Sequence, residues 1–366
     1  MGKVRTSISM TLGEPLRYGE NPGNPAAVCV RLPEEKDLLS PHRFTRIEGK
    51  EPGYINITDL GRAVETIARI AAGYEKNFGI ERELLIAVIL KHGNACGAAV
   101  RSAIRQTSVD MCEKDKRAVL EAAVWGDPIA SFGGVVIVNF ELGAEAWVLR
   151  EEPGKSGNVR GYDLIIAPRL TDEAVVALRR PRGGCIMLEN AALAHLDQRS
   201  PWRGEHLVQV RGDYLVERVD PYTPFITALP DEHLRTRGDP RVIDAHRENL
   251  VLAWAIGSTS NSNSIALVRN QTLVVNACGQ QSRVGACELA VDLLRRRFHG
   301  AEAGLAAYSD GFFPFRDAPN LLQQNGVEVI LYPRGSIHDD DIARELENRV
   351  ALVMLPPHAR GFYGHS

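Results

Sequence analysis

The stretch that decides the fold is Ile86-Ala87-Val88-Ile89-Leu90-Lys91-His92-Gly93-Asn94-Ala95-Cys96-Gly97. Its first five residues are apolar and largely β-branched, which predicts a buried strand, and a turn of small residues follows. Open α/β sheets usually place their chemistry where a strand ends and a turn begins. Lys91 and His92 stand at that point and supply a cation and a group that takes up a proton near neutral pH. Taken alone, the pair is equally compatible with a solvated strand end.

The composition is that of an ordinary soluble globular protein, with 44% hydrophobic residues, 24% charged residues and a net charge of −3 over 366 residues. A chain of this length predicts two domains or a two-lobed fold. The charge balance gives no reason to expect a nucleic-acid partner, and the cluster 295–297 predicts a solvated helix face. The sequence shows no apolar run of membrane-spanning length and no signal-peptide pattern. We therefore expect no membrane partner and a cytoplasmic location.

The cysteines argue against both disulfides and metal binding. They are spread along the chain without CxxC pairs, which predicts reduced and mostly buried thiols. His246-Arg247-Glu248 matches half of the zinc deaminase signature HxE…PCxxC, but the cysteine half is missing. We expect no metal chemistry. The six cysteines are Cys29, Cys96, Cys112, Cys185, Cys278 and Cys287.

Hydrophobic periodicity predicts alternating helices and strands, which is typical of an α/β fold. Thr58 and Thr171 are the expected N-caps of helices over 58–78 and 171–180. A loop over 17–25 carries Arg17 and Tyr18, and the polar, glycine-rich residues 150–161 predict a surface loop. Further helices are predicted over 116–125, 241–255 and 282–298, near 320–325, and from 339. Strands are predicted over 84–90, 135–139, 164–167, 265–268, 272–275, 327–331 and 350–355, with the run 312–315 in the same alternation.

The two halves of the sequence show a weak internal echo. Asn-Ala-Cys-Gly occurs at 94–97 and again at 276–279. An aspartate and a Phe-containing turn follow at similar distances, at Asp127 and at Asp310. A match of four small residues also arises by chance, so the echo only suggests a duplication. Because the stretch 198–240 is rich in Pro, Arg, Asp and Gly, we place a domain boundary early in it.

The ordered set of motifs resembles AICAR transformylase, the formyltransferase part of a bifunctional purine enzyme. Lys91-His92-x-Asn94-x-Cys96-Gly97 is similar to the KHxNPCG motif of that family, and the other matches cover essentially the whole chain. They are Leu16–Pro22, Asp127–Gly134, Asp163–Pro168, Ser262–Ser264, Gly279–Arg283, Ser309–Asp317 and Gly335–Ile337.

The resemblance implies an α/β fold of two similar, duplicated cytidine-deaminase-like lobes, with mixed sheets flanked by helices. We place the lobes at 1–205 and 206–366. It also implies formyl transfer from the co-substrate 10-formyltetrahydrofolate to the 5-amino group of AICAR, a nucleotide. The partners expected are therefore these two small molecules and a second copy of the chain, since the family builds its sites at a homodimer interface.

The family's chemistry assigns roles at the strand end. The acceptor amine is a poor nucleophile, so the reaction needs a base and a positive group for the oxyanion or the leaving nitrogen. The resemblance makes His92 the base, Lys91 the cation and Asn263 a hydrogen-bonding partner near the reacting groups. A structural histidine and a turn asparagine are the alternatives for His92 and Asn263.

The resemblance also implies binding residues. A guanidinium with neutral donors suits a phosphate, and Gly133 suits close backbone approach. The substrate-binding residues implied are Arg17, Tyr18, Ser131, Phe132, Gly133, Asp163, Phe312 and Arg360. The folate-binding residues implied are Gln281, Arg283, Pro314, Phe315 and Asp317. A monovalent cation such as K⁺ is implied near Asp310.

The sequence departs from the family pattern at the rim of the site. Ala95 replaces the proline of KHxNPCG, and Gly23-Asn24 replaces the usual His-Gln after Asn-Pro. The chain begins where the transformylase begins, so we expect the cyclohydrolase part to be absent and inosinate to be closed elsewhere. These departures keep two alternatives open. One is formyl transfer to a related amine in a specialised pathway, and the other is a non-catalytic paralogue that binds a nucleotide.

Overall fold

The computed structural model describes residues 11–21, 23–31, 36–104, 112–151, 160–229, 234–298 and 303–359. It is an α/β structure with one large mixed sheet between two layers of helices, which confirms the predicted fold class. None of the helices in these ranges is long and apolar enough to cross a membrane.

The strands alternate with helices along the chain. The strands are β1 (Thr11–Pro15), β2 (Val28–Arg31), β3 (Thr45–Glu48), β4 (Arg82–Lys91), β5 (Asn94–Ile104), β6 (Val135–Val138), β7 (Leu164–Ala167), β8 (Ile186–Glu189), β9 (Gly204–Val210), β10 (Asp213–Val219), β11 (Arg235–Arg237), β12 (Ile265–Arg269), β13 (Thr272–Ala277), β14 (Leu305–Ser309), β15 (Val327–Pro333) and β16 (Ala351–Leu355). The helices are α1 (Tyr54–Phe78), α2 (Glu113–Gly126), α3 (Asp172–Leu178), α4 (Pro240–Ala245), α5 (Arg247–Gly257), α6 (Arg283–Phe298), α7 (Asp317–Gln324) and α8 (Asp339–Leu346).

Twelve strands form the sheet, in the order β11-β16-β15-β14-β12-β13-β5-β4-β6-β7-β8-β3. From the β13–β5 junction outward, both halves repeat one pattern of pairing: antiparallel twice, parallel twice, then antiparallel. The halves join through Thr272 opposite Ala99 and a bond from the Val100 N–H to the Gln271 carbonyl (2.9 Å). The repeated topology is what a duplication predicts. The cytidine-deaminase-like detail remains a prediction.

The apolar run at 86–90 is buried on both faces of the sheet. Ile86 and Val88 point into a layer formed by α1 and α5, whereas Ala87 and Ile89 point into a layer formed by α2 and α3. The alternation follows from the two-residue period of a strand. Because both sides are covered, the sequence reads as a continuous apolar run rather than an alternating one.

One hydrophobic layer spans both halves of the sheet. Helix α1 packs on β4 and β6 of the first half, and α5 packs on β12 and β14 of the second. Val329 and Leu331 of β15 belong to the same core as Ile86. On the opposite face, α6, α7 and α8 cover the second half separately. The predicted division between residues 205 and 206 falls within β9, and that division remains a prediction.

Several local predictions are corrected by the structure. Helix α1 begins at Tyr54 after Gly53, whose N–H donates to the Asn56 side chain (2.9 Å), so Thr58 is not the N-cap. The hydroxyl of Thr58 instead donates to the Ile55 carbonyl within the helix (3.0 Å). Thr171 is confirmed as an N-cap, since its hydroxyl accepts the N–H of Ala174. The run 312–315 is not a strand; the strand in that region is β14. The predicted helix 241–255 is two helices, α4 and α5.

Two glycines of α1 differ in what surrounds them. A Cβ on Gly73 would lie 2.8 Å from Val251 and 3.1 Å from Trp254, both on α5, whereas a Cβ on Gly61 would meet nothing within 4 Å. Gly73 therefore permits the close approach of α1 to α5 that holds the shared layer together.

We predict opposite effects of the same substitution at these two positions. Gly73→Ala should lower the free energy of unfolding by about 1–3 kcal/mol, because it overpacks the contact with α5. Gly61→Ala should raise it by roughly 0.5–1 kcal/mol, because alanine loses less backbone entropy in a helix. Urea denaturation of both variants checks this. Equal effects at both positions would contradict the assigned helix contact.

A pair of carboxyl groups lies at the start of α2. Glu145 is 4% exposed and accepts the N–H of Gly143 (2.9 Å), and it lies against Glu113. Burial and the hydrogen bond with Glu113 raise the pKa of Glu145 to about 7. The hydrogen bond with Glu145 and the ammonium of Lys116 hold the pKa of Glu113 below its usual value.

This pair predicts a pH dependence of stability. Between the ordinary pKa of 4.5 and about 7, the folded chain holds a proton on Glu145 that the unfolded chain has released. The free energy of unfolding should therefore fall as the pH rises through this window, by on the order of 1–3 kcal/mol. Glu145→Gln keeps a neutral group and should flatten the profile between pH 5 and 8. Urea denaturation across that range measures it, and an unchanged slope in the variant would contradict the assignment.

Candidate active site

The Lys-His pair lies at the turn between β4 and β5, as the sequence predicted. His92 and Gly93 form this turn with positive φ angles of 52° and 74°. The Lys91 ammonium donates to the carbonyl of Phe132 (2.9 Å), which ties the strand end to the loop after α2. His92 is exposed, and Lys91 is partly buried. A fixed cation and an accessible imidazole therefore lie side by side.

The loop after α5 in the second half contacts this turn. The N–H of Asn261 donates to Asn94 Oδ1 (2.9 Å), and Asn94 Nδ2 donates to the carbonyl of His92 (3.1 Å). The side chain of Asn276 on β13 donates to the Ala95 carbonyl (2.8 Å) and to the Ser260 hydroxyl (2.9 Å). These bonds bring the Lys91–Asn94 turn and the 258–264 loop together at the junction of the two halves of the sheet.

Asn263 is held by a buried charged cluster. Arg283 donates to Asn263 Oδ1 (2.7 Å) and to the carbonyl of Ser264 (3.1 Å), and it forms an ion pair with Asp310. Asn263 Nδ2 donates to the Gln280 carbonyl (2.8 Å), and the Ser262–Asn263 peptide bond is cis. Asp310 is completely buried and Arg283 is 9% exposed. The guanidinium therefore balances the buried carboxylate and fixes the Asn263 amide.

The cation predicted near Asp310 does not fit this donor set well. Asp310 Oδ1 accepts from Arg283 and from the N–H of Ser264 (2.9 Å), so its charge is already compensated. Asp310 Oδ2 is buried and makes no hydrogen bond within the described residues. A cation at that oxygen would place a second positive charge beside a buried guanidinium, which is unfavourable in a low-dielectric interior.

The loop after α2 presents Ser131, Phe132 and Gly133 to the same region. Ser131 is fully buried, and its hydroxyl donates to the Pro128 carbonyl (3.3 Å) and accepts from Arg160. The Phe132 side chain is half exposed, and Gly133 has a φ of 72°, a conformation that favours glycine. The loop is therefore a rigid turn that carries one exposed aromatic ring.

Asp163 lies beside this loop at the start of β7. Its N–H donates to the carbonyl of Gly134 (3.0 Å), and its exposed carboxylate accepts from Arg180 (3.0 Å). Burial raises the pKa of Asp59, a residue of α1 whose carboxylate accepts the N–H of Gly93, and the charge of Asp163 adds a smaller effect in the same direction. Asp163 is thus in the electrostatic neighbourhood of the Lys91–Asn94 turn.

The remaining predicted residues lie on other elements. The guanidinium of Arg17 stacks on the ring of Tyr18 (5.3 Å), and that ring lies against Gly53, where a Cβ would be 2.6 Å away. Tyr18 therefore packs at the N-terminal end of α1. Phe312 is partly buried in the turn between β14 and α7.

The residues predicted to bind folate differ widely in exposure. Phe315 is 65% exposed with its ring 6.0 Å from that of His338, and Asp317 begins α7. Gln281 and Pro314 are exposed, whereas Arg283 belongs to the buried cluster described above. Arg360 lies outside the described residues.

Sequence reasoning missed three residues of this region. Asp59 contacts Gly93 from α1, 34 positions away, and local patterns do not reveal such a pair. Arg160 falls in the predicted surface loop 150–161, yet it is 5% exposed and bonds to Ser131. Residues 152–159 of that loop lie outside the described residues. The sequence places Arg180 at the end of a predicted helix, whereas in the structure its guanidinium forms an ion pair with Asp163. The chain contains many more arginines than lysines. No local pattern therefore distinguishes Arg160 and Arg180 from the other arginines.

Cys96 is excluded as a nucleophile despite its place in the motif. Its thiol donates to the carbonyl of Ile89 (3.5 Å), and burial raises its pKa to about 12. The reactive thiolate form is therefore scarce at neutral pH. Cys96 is therefore a packed thiol rather than a nucleophile at the end of this strand.

The fold and this geometry define the class: an α/β protein with a polar site at strand ends, where two similar halves of one sheet meet. Residues 2–293 match the model of the family described as AICARFT/IMPCHase bienzyme. Over 349 residues the chain is 30% identical to the bifunctional purine biosynthesis protein PurH of Staphylococcus aureus strain JH1, which covers 95% of this chain and 61% of that protein. Over 343 residues it is 30% identical to the protein of the same name from Anoxybacillus flavithermus, covering 92% of this chain and 57% of that protein.

The chain belongs to the AICARFT/IMPCHase bienzyme family. It spans about three fifths of the length of the curated relatives it matches, 61% of the first and 57% of the second.

The buried ion pair gives a prediction for this site. Asp310→Asn leaves the guanidinium of Arg283 uncompensated, so the free energy of unfolding should fall by about 3–5 kcal/mol. The exposed pair of Arg203 and Asp220 (2.6 Å) provides the control, and Asp220→Asn should cost less than about 1 kcal/mol. Urea denaturation compares the two variants. Equal losses would show that the Arg283–Asp310 pair does not hold the cluster.

Proposed function

We propose that this protein transfers a formyl group from 10-formyltetrahydrofolate to the 5-amino group of AICAR, giving FAICAR and tetrahydrofolate. The observation that carries the proposal is the pairing of a fixed cation, Lys91, with an accessible imidazole, His92, beside the Asn263 cluster. Membership of the AICARFT/IMPCHase bienzyme family supports the same reaction. The reaction belongs to late purine biosynthesis, and we place it in the cytoplasm.

The proposed mechanism uses the two neighbouring groups in turn. The substrate amine attacks the formyl carbon while His92 takes the proton that the amine loses. The carbonyl oxygen becomes an oxyanion, which the Lys91 ammonium stabilises. The bond between the formyl carbon and N10 of the folate then breaks. The Lys91 ammonium donates the proton that N10 takes up. Asn263 hydrogen-bonds the reacting groups from the opposite loop.

The binding residues carried over from the resemblance complete the proposal. The nucleotide would contact the turn 131–133 and Phe312, with its phosphate at Arg17, Tyr18 and Arg360 and its ribose at Asp163. The folate would lie along Gln281, Pro314, Phe315 and Asp317. Arg283 would act on the folate side through Asn263, because its guanidinium already binds that amide. A homodimer with the sites at its interface is part of the same proposal.

We predict that Lys91→Ala and His92→Ala each lower kcat for AICAR by on the order of 10²–10⁴-fold, since each removes a group that acts in the transition state. Release of tetrahydrofolate from 10-formyltetrahydrofolate measures this. His206→Ala is the matched control, because His206 is an exposed histidine on β9 paired with Glu217. It should leave turnover unchanged.

Other outcomes would decide between the alternatives. Saturable folate binding without turnover of AICAR would favour a different amine acceptor and call for an acceptor screen. Binding of AICAR without turnover of any amine would favour a non-catalytic nucleotide-binding protein. Binding of neither ligand would overturn the enzyme proposal.

A further inference from the structure

The turn that carries His92 has a left-handed backbone conformation at both of its central residues. Both central residues, His92 and Gly93, have positive φ angles (52° and 74°), which is the requirement of a type I′ hairpin turn. Glycine adopts such angles freely, and among the other residues Asn, Asp and His adopt them most readily. The His-Gly sequence is compatible with this turn, and side chains from outside the turn hold it in place.

Two side chains hold the peptide group that follows His92. The carboxylate of Asp59 accepts the N–H of Gly93 (2.9 Å), and the amide of Asn94 donates to the carbonyl of His92 (3.1 Å). The carbonyl of His92 and the N–H of Gly93 belong to one peptide plane. Both of its polar groups are therefore fixed, and rotation of this plane would break both bonds.

Asp59 acts from a rigid support. It lies in the second turn of the 25-residue helix α1, next to the buried Leu60. Arg62, one turn further, runs along the same side of the turn, with its Cγ 3.6 Å from where a Cβ of Gly93 would lie. Asn94 is anchored in turn by the N–H of Asn261 (2.9 Å). The plane is thus held between α1 and the loop of the second half.

The charges around Asp59 fit this role. Burial raises its pKa, whereas the Gly93 N–H and the charges of His92 and Arg62 lower it, and the charge of Asp163 raises it again. Asp59 is therefore close enough to both His92 and Asp163 for their charges to act on it. Neither Asp59 nor Asn94 takes part in the proposed bond-making or proton-transfer steps.

We propose that Asp59 and Asn94 are positioning residues that clamp the His92–Gly93 peptide plane and so aim the imidazole of His92. The effect on catalysis rests on the proposed function, but the clamp itself does not. In the proposed reaction Asp59 touches neither substrate nor reacting atoms. It acts only through the backbone of the turn.

The test compares Asp59→Ala with the conservative Asp59→Asn, whose amide oxygen still accepts the Gly93 N–H. Asp59→Ala should lower kcat about tenfold or more, with KM for both substrates little changed. The substrates still bind, but the imidazole of His92 is no longer oriented to accept the proton. Asp59→Asn should restore kcat to within a few-fold of the wild type. Asn77→Ala is the control for stability. Asn77 is a buried residue of α1 whose amide donates to the Pro224 carbonyl and accepts the Ile226 N–H, and neither bond involves the His92 turn. This substitution should leave kcat unchanged below the variant's unfolding temperature.

Hydrogen exchange of the Gly93 amide provides a readout that needs no activity. This amide should be protected in the wild type and in Asp59→Asn, and should exchange about tenfold faster in Asp59→Ala. The same result in a protein without turnover on AICAR would uphold the clamp while the proposed function fails. An unchanged Gly93 exchange rate in Asp59→Ala would overturn the clamp. Wild-type kcat in an active Asp59→Ala enzyme would overturn its role in aiming His92.

Discussion

The packing of α1 on α5 is the constraint on which the rest of the structure depends. These helices lie over one face of the sheet and share a hydrophobic layer with strands of both halves. The strand junction itself is small, with Thr272 opposite Ala99 and a backbone bond beside it. The helix packing therefore adds to the strand junction in fixing one half against the other. Gly73 permits it, because a side chain there would meet Val251 and Trp254.

The polar site is a consequence of that arrangement. Because the halves are fixed, the turn at His92 and the loop at Asn261 meet at the junction and exchange hydrogen bonds through Asn94. Side chains from both halves then complete the site: Lys91 is held by Phe132, and Asn263 by Arg283. Buried polar groups in such a place need partners, and the guanidinium of Arg283 satisfies Asp310 and Asn263 together. The Arg283 guanidinium thus satisfies a buried carboxylate and an amide at once.

Local patterns identified some of this from the sequence and missed the rest. The run 86–90 predicted the central strand, because burial on both faces leaves a continuous apolar stretch. The cap at Thr171 was predicted correctly, since capping involves neighbours a few residues apart. The start of α1 was misplaced by four residues, because Asn56 reaches back to Gly53 and extends the helix. Strands β3 and β8 were missed, whereas β6 and β7 of the same length were predicted, because β3 and β8 contain charged residues and lack a continuous apolar run.

The sequence by itself determined the type of fold, the location of the Lys91-His92 pair at a strand end, and the family. These follow from short-range periodicity and from ordered motifs along the chain. The tertiary structure alone decided which residues surround the pair. It placed Asp59 on Gly93 and Arg283 on Asp310, two contacts between residues 34 and 27 positions apart. Such partners are set by the register of the sheet and by the packing of α1 and α5 on it, and no local pattern encodes either.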